Sequence, residues 1–400
     1  MEKQKNIPQL RFPEFEGEWE KKKLGEISSG VMYGMNAAAK EYDGVHKYIR
    51  ITDIDENSRE FCPNPLSSPD EKPDRRYKLK TGDIVFARTG ASVGKSYLYK
   101  EEDGDLYFAG FLIRFTINKA NPFFVYTQTL LRPYDKWIKI MSMRSGQPGV
   151  NAEEFKTLNL SFPSLSEQQK IAFFFTAIDH KISQLKRKKT LLEQYKKGVM
   201  QKIFTQQIRF KDDNGQEFPK WEKMTGDALF ETVSNKNHNS DLPILAITQE
   251  HGAIPRDMID YYITVSEQSV ESYKVVEKGD FIISLRSFQG GIEYSEYTGI
   301  CSPAYIILRA TQRIDHRYFK YYFKTDKYIT DLNRKLEGIR DGKMISYKYF
   351  SEIEINVPSL PEQTKISNFL AAIDDKITHT QNQIEKAEVW KKGLMQQMFV

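Results

Sequence analysis

One long segment of this 400-residue chain occurs twice, and the duplication constrains the fold more than any other feature. The stretch "PSLSEQQKIAFFFTAIDHKISQLKRKKTLLEQYKKGVMQKIF" begins at Pro163, and "PSLPEQTKISNFLAAIDDKITHTQNQIEKAEVWKKGLMQQMF" begins at Pro358. The two align without a gap at an offset of 195 residues, with 20 identities in 42 positions. A repeat of this kind predicts a fold built from two copies of one structural unit.

Each copy of the repeat has the pattern of one long helix. Ser164 stands three residues before Glu167, and Ser359 stands three before Glu362, which predicts a capping box at each helix start. Pro361 fits the first helical turn because its missing N–H would have no partner there. Apolar residues then recur at alternating steps of four and three, the spacing of a coiled-coil seam. The predicted seam residues are Ile171, Phe175, Ile178, Ile182, Leu185, Leu192, Val199 and Ile203 in the first copy, and Ile366, Leu370, Ile373, Ile377, Ile384, Ala387, Leu394 and Met398 in the second.

Polar residues interrupt this seam at Lys189, Lys196, Thr380 and Lys391. A helix of about 38 residues at 1.5 Å each forms a rod of roughly 60 Å. The simplest partner for each seam is the other copy of the repeat. An antiparallel pairing would put the two intervening domains at opposite ends of the rod, so we expect the helices to act as a spacer.

The remaining parts of the two halves also correspond. "LKTGDIVFARTG" matches "VEKGDFIISLRSFQG", and "MRSGQPGVNAEEFKTLNLSFP" matches "GIRDGKMISYKYFSEIEINVP". These segments have short strands rich in Val, Ile, Phe and Tyr, separated by Gly and Asp turns and a few short helices. The sequence therefore predicts an α+β protein with a pseudo-twofold internal repeat. Its expected parts are a globular mixed α/β domain at 1–162, a spacer helix at 163–204, a second domain at 205–357 and a second spacer helix at 358–400.

The stretch "GDIVFARTGASVGKSYLY", from Gly82 to Tyr99, is similar to a phosphate-binding loop. A Walker loop needs four residues between its glycine and the Gly-Lys-Ser/Thr, so that successive backbone N–H groups surround the phosphate. Gly90 and Gly94 have only three residues between them, and the matching "SFQGGIEYS" lacks the Lys-Ser pair. The sequence therefore argues against an ATP site.

In each half, the loop that follows this predicted strand contains residue types that are suited to DNA contacts. Arginine forks onto guanine, glutamine onto adenine, and small residues let the backbone approach a phosphate. An ordinary surface loop is the alternative for any one of these residues. The candidate DNA contacts are Thr52, Arg88, Thr89, Ser92, Lys95, Arg144, Ser145 and Gln147 in the first half, and Thr248, Gln249, Arg286, Ser287, Gln289, Arg340 and Lys343 in the second.

The composition permits DNA binding without requiring it. The formal net charge is +5, and the two cysteines, Cys62 and Cys301, lie far apart without the clustered ligands of a structural zinc site. No apolar run approaches the roughly 20 residues of a membrane-spanning helix. The first residues, "MEKQKNIPQLRF", lack the apolar segment of a secretory signal, so we expect a cytoplasmic protein.

With two "PSL-x-EQ-x-KI" helices separated by a domain, the sequence resembles the specificity subunit of a type I restriction–modification enzyme. The resemblance extends over nearly the whole chain and includes the "TGDIVFARTGASVGK" loop and the Arg-Phe-Pro opening. It implies two target recognition domains that each read half of a bipartite double-stranded DNA site. It also implies a non-catalytic chain whose antiparallel helices set the gap and dock two methyltransferase subunits, which are joined by restriction subunits. S-adenosylmethionine, ATP and Mg would then belong to those partners, and this chain would bind no cofactor itself.

Three alternatives stay open at this stage. An NTPase or self-contained nuclease would need a complete catalytic motif; the sequence has no G-x-G-x-x-G, no Asn-Pro-Pro-Tyr motif and no P-loop. A coiled-coil interaction protein would carry the same helices and never touch DNA. A specificity subunit that serves methylation alone would have the same sequence features.

Overall fold

The computed structural model describes residues 6–144, 146–238, 241–259, 270–285, 287–334 and 345–400. The chain divides into two compact units. Unit 1 comprises Met1–Leu185 and Asn382–Val400, and unit 2 comprises Lys186–Gln381.

Unit 1 is a mixed α/β domain with short strands. Its strands are β1 (Glu20–Lys23), β2 (Ser28–Tyr33), β3 (Ala39–Glu41), β4 (Lys47–Ile49), β5 (Ser67–Pro69), β6 (Asp83–Ala87), β7 (Ser96–Leu98), β8 (Leu106–Phe108), β9 (Leu112–Ile117) and β10 (Asn159–Phe162). Its helices are α1 (Leu24–Ile27), α2 (Pro122–Gln128), α3 (Arg132–Met141), α4 (Ala152–Lys156) and the start of α5 (Leu165–Phe204).

Unit 2 repeats this order of elements after the end of α5. Its strands are β11 (Glu222–Thr225), β12 (Phe230–Val233), β13 (Leu245–Thr248), β14 (Gly252–Pro255), β15 (Lys274–Val276), β16 (Phe281–Ile283), β17 (Glu293–Tyr294), β18 (Gly299–Cys301), β19 (Ile306–Ala310) and β20 (Glu354–Val357). Its helices are α6 (Gly226–Leu229), α7 (Ser287–Gly290), α8 (His316–Tyr322), α9 (Asp326–Arg334), α10 (Tyr347–Ser351) and the first part of α11 (Leu360–Met398).

The main sheets of the two units have the same topology. The order is β2-β9-β6-β7 in unit 1 and β12-β19-β16-β17 in unit 2, antiparallel throughout. A two-stranded antiparallel pair precedes each long helix, β1 with β10 and β11 with β20. The α+β class and the internal repeat predicted from the sequence are therefore confirmed.

Aromatic side chains fill the space between each main sheet and its helices. In unit 1 the rings of Phe86 on β6 and Phe155 on α4 lie 4.9 Å apart. In unit 2 the ring of Phe230 on β12 lies 5.4 Å from that of Phe281 on β16. Each pair is fully buried, and buried aromatic rings contribute both apolar area and edge-to-face or tilted ring contacts.

The two long helices pack against each other in antiparallel orientation within each unit. In unit 1 the ring of Phe175 lies 6.1 Å from that of Phe399, while Asp179, one turn later on α5, binds Lys391 at 2.5 Å. In unit 2 Lys196 of α5 binds Asp374 of α11 at 2.6 Å. Lys391 and Lys196 occupy the same place in the repeat, so two of the predicted breaks in the seam are the sites of matched ion pairs.

The predicted seam is largely buried. Of the sixteen predicted positions, eleven are buried and five are half-buried. The buried ones are Ile171, Phe175, Ile178, Ile182, Leu185, Ile203, Ile366, Leu370, Ile373, Ile384 and Met398, and the half-buried ones are Leu192, Val199, Ile377, Ala387 and Leu394.

The capping-box prediction is wrong for the glutamates. Glu167 accepts two hydrogen bonds from Arg11, both at 2.7 Å, instead of reaching back to the helix N-terminus. Glu362 accepts from Arg209 in the same way, at 3.2 and 2.7 Å. The Ser164 hydroxyl does accept the N–H of Glu167, at 3.3 Å, whereas the buried Ser359 hydroxyl has no hydrogen-bond partner among the described residues. The serine part of the prediction is therefore confirmed for α5 and wrong for α11. Each buried carboxylate binds the arginine and not the helix N-terminus because a guanidinium donates two charge-assisted hydrogen bonds, whereas the backbone N–H donates one.

The Arg-Phe motif therefore attaches each domain to the start of its own helix. The phenylalanine after each arginine also contacts the helix, since Phe12 lies 5.8 Å from Phe174 and Phe210 lies 5.4 Å from Phe369, ring centre to ring centre. Both contacts are edge-to-face. We call the two-residue motif with its glutamate and phenylalanine partners the Arg-Phe clip.

The glutamine of the Pro-Ser-Leu-x-Glu-Gln motif makes a second attachment. In unit 1 the Gln168 side chain donates to the Pro163 carbonyl at 2.9 Å and accepts the N–H of Asn121 at 3.1 Å. In unit 2 the side chain of Gln363 accepts the N–H of Asp315 at 2.9 Å. Because Asn121 and Asp315 cap α2 and α8, the start of each long helix is joined to the start of a domain helix.

We predict that Arg11→Ala lowers the free energy of unfolding of unit 1 by about 3 kcal/mol, because it leaves a carboxylate that is only 1% exposed without its charge partner. Urea unfolding of the purified chain measures the change. The control is Lys22→Ala, which breaks an exposed ion pair with Glu20 and should cost less than about 0.5 kcal/mol. Equal, small effects of the two substitutions would contradict a structural role for the clip.

Candidate nucleic-acid interface

The loop after β6 is held by its own backbone. The N–H of Gly94 donates to the Ala87 carbonyl at 2.8 Å, and the N–H of Gly90 donates to the Pro148 carbonyl at 3.0 Å. Both glycines have positive φ, +84° at Gly94 and +77° at Gly90, which a side chain would disfavour. These amides are already hydrogen-bonded within the protein. They do not form the ring of free donors that a nucleotide phosphate requires.

The prediction that Lys95 projects from this loop is wrong. Its side chain is 6% exposed, its ammonium donates to the Ile54 carbonyl at 3.1 Å, and it pairs with Glu56. The ammonium thereby attaches the loop to the segment that follows the short 3₁₀ helix Ile51–Asp53. The sequence pattern of a lysine next to a glycine is the same whether the side chain faces water or a buried carbonyl. It therefore could not predict that Lys95 is buried.

Arg88, at the start of the same loop, faces outward between two aromatic rings. Its guanidinium carbon lies 5.0 Å from the ring centre of Tyr33 and 5.8 Å from that of Phe111. Thr89 and Ser92 are half-buried beside it. Neither ring belongs to a residue that the sequence predicts to contact DNA. A residue pattern does not separate an exposed aromatic at a strand end from a core one.

A second loop lies against the first in unit 1. Thr89 forms a β-bridge with Gly149, and Gln147 is exposed. Arg144 is bound to the Glu154 carboxylate at 2.7 and 2.6 Å, so its fork is already occupied. Ser145 lies outside the described residues, and Thr52 is exposed on the 3₁₀ helix.

In unit 2 the described candidates have mixed environments. Gln249 and Gln289 are exposed, and Thr248 is half-buried at the end of β13, where its hydroxyl accepts the N–H of His251 at 3.0 Å. The prediction that Ser287 projects is wrong, because it is fully buried and its hydroxyl accepts the N–H of Ser284 at 2.9 Å. Arg286, Arg340 and Lys343 lie outside the described residues.

The Gly-Asp turn that starts each central strand is a structural feature under these loops. Asp83 accepts the Thr116 hydroxyl at 2.5 Å, and Asp280 binds Arg309 through both oxygens at 2.9 and 2.8 Å. Burial raises the pKa of Asp83, and the hydrogen bond from Thr116 opposes that shift. Both carboxylates bind the neighbouring strand of the main sheet, Asp83 through Thr116 of β9 and Asp280 through Arg309 of β19.

No described helix is both long enough and apolar enough to cross a bilayer. No group of three or more His, Cys, Asp or Glu side chains within the described ranges is arranged to hold a metal ion.

Comparison with known proteins identifies the family. The sequence profile of the type I restriction modification DNA specificity domain matches twice, at residues 16–194 and 222–389. The two matches together cover well over half of the chain. The chain therefore belongs to the type I restriction–modification DNA specificity family, as a specificity subunit with two target recognition domains.

The chain is similar to two specificity subunits over almost its full length. The chain is 25% identical to the putative type I restriction enzyme MjaX specificity subunit of Methanocaldococcus jannaschii, covering 98% of this chain and 95% of the relative. It is 22% identical to the MjaVIII specificity subunit of the same organism, covering 98% and 93%.

Solved structures confirm the fold. The crystal structure of the type I restriction–modification S subunit from M. genitalium superposes with a TM-score of 0.57 at 15% identity, covering 98% of this chain and 99% of that one. A chain from a structure of type I complex assembly and conformational transition gives a TM-score of 0.52 at 18% identity, covering 95% and 96%.

We predict that Lys95→Ala destabilises unit 1 by about 1–3 kcal/mol, because it removes a buried donor and leaves the Ile54 carbonyl without it. Thermal or urea unfolding measures the loss. Lys78→Ala is the matched control, since its surface pair with Asp105 is worth less than about 1 kcal/mol. Unchanged stability together with weaker DNA binding would show instead that Lys95 contacts DNA.

Proposed function

We propose that this chain reads a bipartite DNA site, one half per unit, and that the two halves differ in sequence. One observation carries the proposal: the same sheet framework supports different loops. After β6 the chain makes a non-helical turn that starts with Arg88, whereas after β16 it continues into the short helix α7. Different side chains at equivalent sheet positions read different bases, so the site is not a palindrome.

The paired helices are the proposed ruler between the half-sites. Two half-sites read from one side of the duplex lie about one turn apart, near 34 Å. Helices of 40 and 39 residues have the length for such a gap. The ion pairs Asp179–Lys391 and Lys196–Asp374 support this role, because they fix the register of one helix against the other.

The chain itself has no proposed catalytic step. Methylation of an adenine and cleavage of DNA would belong to methyltransferase and restriction subunits, which would bring S-adenosylmethionine, ATP and Mg. A target base must leave the stack before it can be methylated, so this chain's part is to place those subunits on the right sequence.

Exposed aromatic residues on the helices support docking of two like partners. Trp390 of α11 and Tyr195 of α5 occupy the same place in the repeat, and each is 54% exposed. Phe173 and Val389, on the same two helices in unit 1, are further exposed apolar residues. Exposed aromatic residues are enriched where proteins bind one another. The presence of one in each copy fits two identical methyltransferase subunits.

The test is to map methylated adenines genome-wide in cells with and without the gene. We expect one motif to vanish with the gene, consisting of two unlike half-sites around a gap of unread bases. A coiled-coil interaction protein that never touches DNA predicts no change in any motif. A chain that serves methylation alone predicts the same motif without restriction of unmethylated DNA.

The same mapping tests the ruler. One extra heptad inserted into α5 after Leu185, with a matching heptad in α11 after Gln381, lengthens both helices by about 10 Å and keeps the seam in phase. We expect the gap to grow by about three base pairs, or methylation of the original motif to stop. An unchanged gap with full activity would show that the helices do not set the spacing.

We also predict that Trp390→Ser weakens binding of the methyltransferase subunit by tenfold or more, because a central tryptophan commonly dominates an interface. Titration followed by analytical ultracentrifugation measures it. Val45→Ser, which changes an exposed apolar residue in a loop of unit 1, is the control and should leave the affinity unchanged. An equal effect of both substitutions would argue against a docking role for Trp390.

A further inference from the structure

Arg88 differs from three other arginines of unit 1 in the partners of its side chain. Arg11, Arg50 and Arg144 each bind a carboxylate through two hydrogen bonds. Among the residues that the structure describes, the side chain of Arg88 has neither a hydrogen bond nor an ion pair; its contacts are the two rings. Its positive charge is therefore not neutralised within the described part of the protein.

Hydrogen bonds nevertheless hold the backbone of Arg88 and the neighbouring ring of Tyr33. The N–H of Arg88 donates to the Phe111 carbonyl at 3.0 Å, and its own carbonyl accepts the N–H of Val150 at 2.9 Å. The Tyr33 hydroxyl accepts the N–H of Ala152 at 3.1 Å, which fixes that ring as well. The contacts with the two rings restrict the rotamers of the Arg88 guanidinium before any ligand arrives, and this lowers the entropic cost of binding.

Only one edge of the guanidinium faces outward. Its Nε atom is buried without a hydrogen-bond partner among the described residues, whereas the two terminal Nη atoms are not buried. The Nη pair is a planar fork of parallel N–H donors. Guanine presents O6 and N7 in the major groove at the spacing that this fork fits.

The rings around Arg88 favour a base edge over a phosphate. Phe111 is 60% exposed and Tyr33 is 40% exposed, so uncharged rings flank the fork on the surface. A phosphate contact would press these rings against the charged backbone, while a groove edge offers them thymine methyl groups and bases.

We propose that Arg88 reads a guanine, through O6 and N7, in the half-site bound by unit 1. This inference rests on the proposed function, since it presupposes that unit 1 reads DNA. It makes Arg88 a specificity-determining residue, with Tyr33 and Phe111 as the positioning residues that hold its fork.

The experiment uses the chain in complex with its methyltransferase subunits and a duplex that carries the mapped motif. Each guanine of the motif is replaced in turn by 7-deazaguanine, which lacks the N7 acceptor. We expect one replacement to weaken binding by about tenfold for the unmodified chain and to have almost no effect for Arg88→Ala. Arg88→Lys, which keeps the charge and loses the fork, should behave like Arg88→Ala.

The matched control is Arg76→Ala. Arg76 also stacks on a ring, that of Tyr77, but it already pairs with Asp74. This variant should keep the full response to every 7-deazaguanine, and thermal unfolding of all variants reports on folding.

The possible outcomes distinguish failure of the guanine assignment from failure of the proposed function. If Arg88→Lys binds like the unmodified chain while Arg88→Ala weakens binding to all DNA alike, Arg88 contacts a phosphate and the guanine assignment is wrong. The assignment is also wrong if no guanine gives a response that depends on Arg88. If the unmodified complex binds its motif no better than unrelated DNA, the proposed function itself fails.

Discussion

The buried arginine–glutamate pair is the interaction on which each unit depends. Arg11 with Glu167, and Arg209 with Glu362, join the segment that enters a domain to the helix that leaves it. A carboxylate this deeply buried is stable only with its charge matched and its lone pairs hydrogen-bonded. The pair therefore fixes the angle between domain and helix. A reader that must reach a fixed position on DNA requires such a rigid joint.

Ion pairs between the two long helices fix their register within each unit. A seam of apolar residues alone would tolerate sliding by a heptad, since every heptad offers a similar face. The ion pairs Asp179–Lys391 and Lys196–Asp374 remove that freedom, because only one register brings each ammonium to its carboxylate. Their cost in desolvation is modest, since all four side chains keep partial access to water.

The sheet framework recurs in both units, whereas the loops proposed to read DNA differ between them. The two main sheets share one strand order, and the Gly-Asp turns and the Arg-Phe clips recur in both units. The loops above them do not recur, as the turn at Arg88 and the helix α7 show. The described loops carry no part of the seam or the clips, so their sequences can change without disturbing either.

The amino-acid sequence by itself determined the duplication, the long helices, their seam and the family. These follow from periodicity and repetition, which are properties of residue order. It also determined that the loop at Gly90 is one residue short of a phosphate-binding loop.

Only the tertiary structure decided what each polar side chain faces. Glu167 has the spacing of a capping residue and binds an arginine 156 positions away. Lys95 has the position of a DNA contact and binds a buried carbonyl, while Arg88, seven residues earlier, is left facing outward between two rings. The physical reason is that a charged side chain takes the strongest available partner, and that partner is brought near by folding and is distant in sequence.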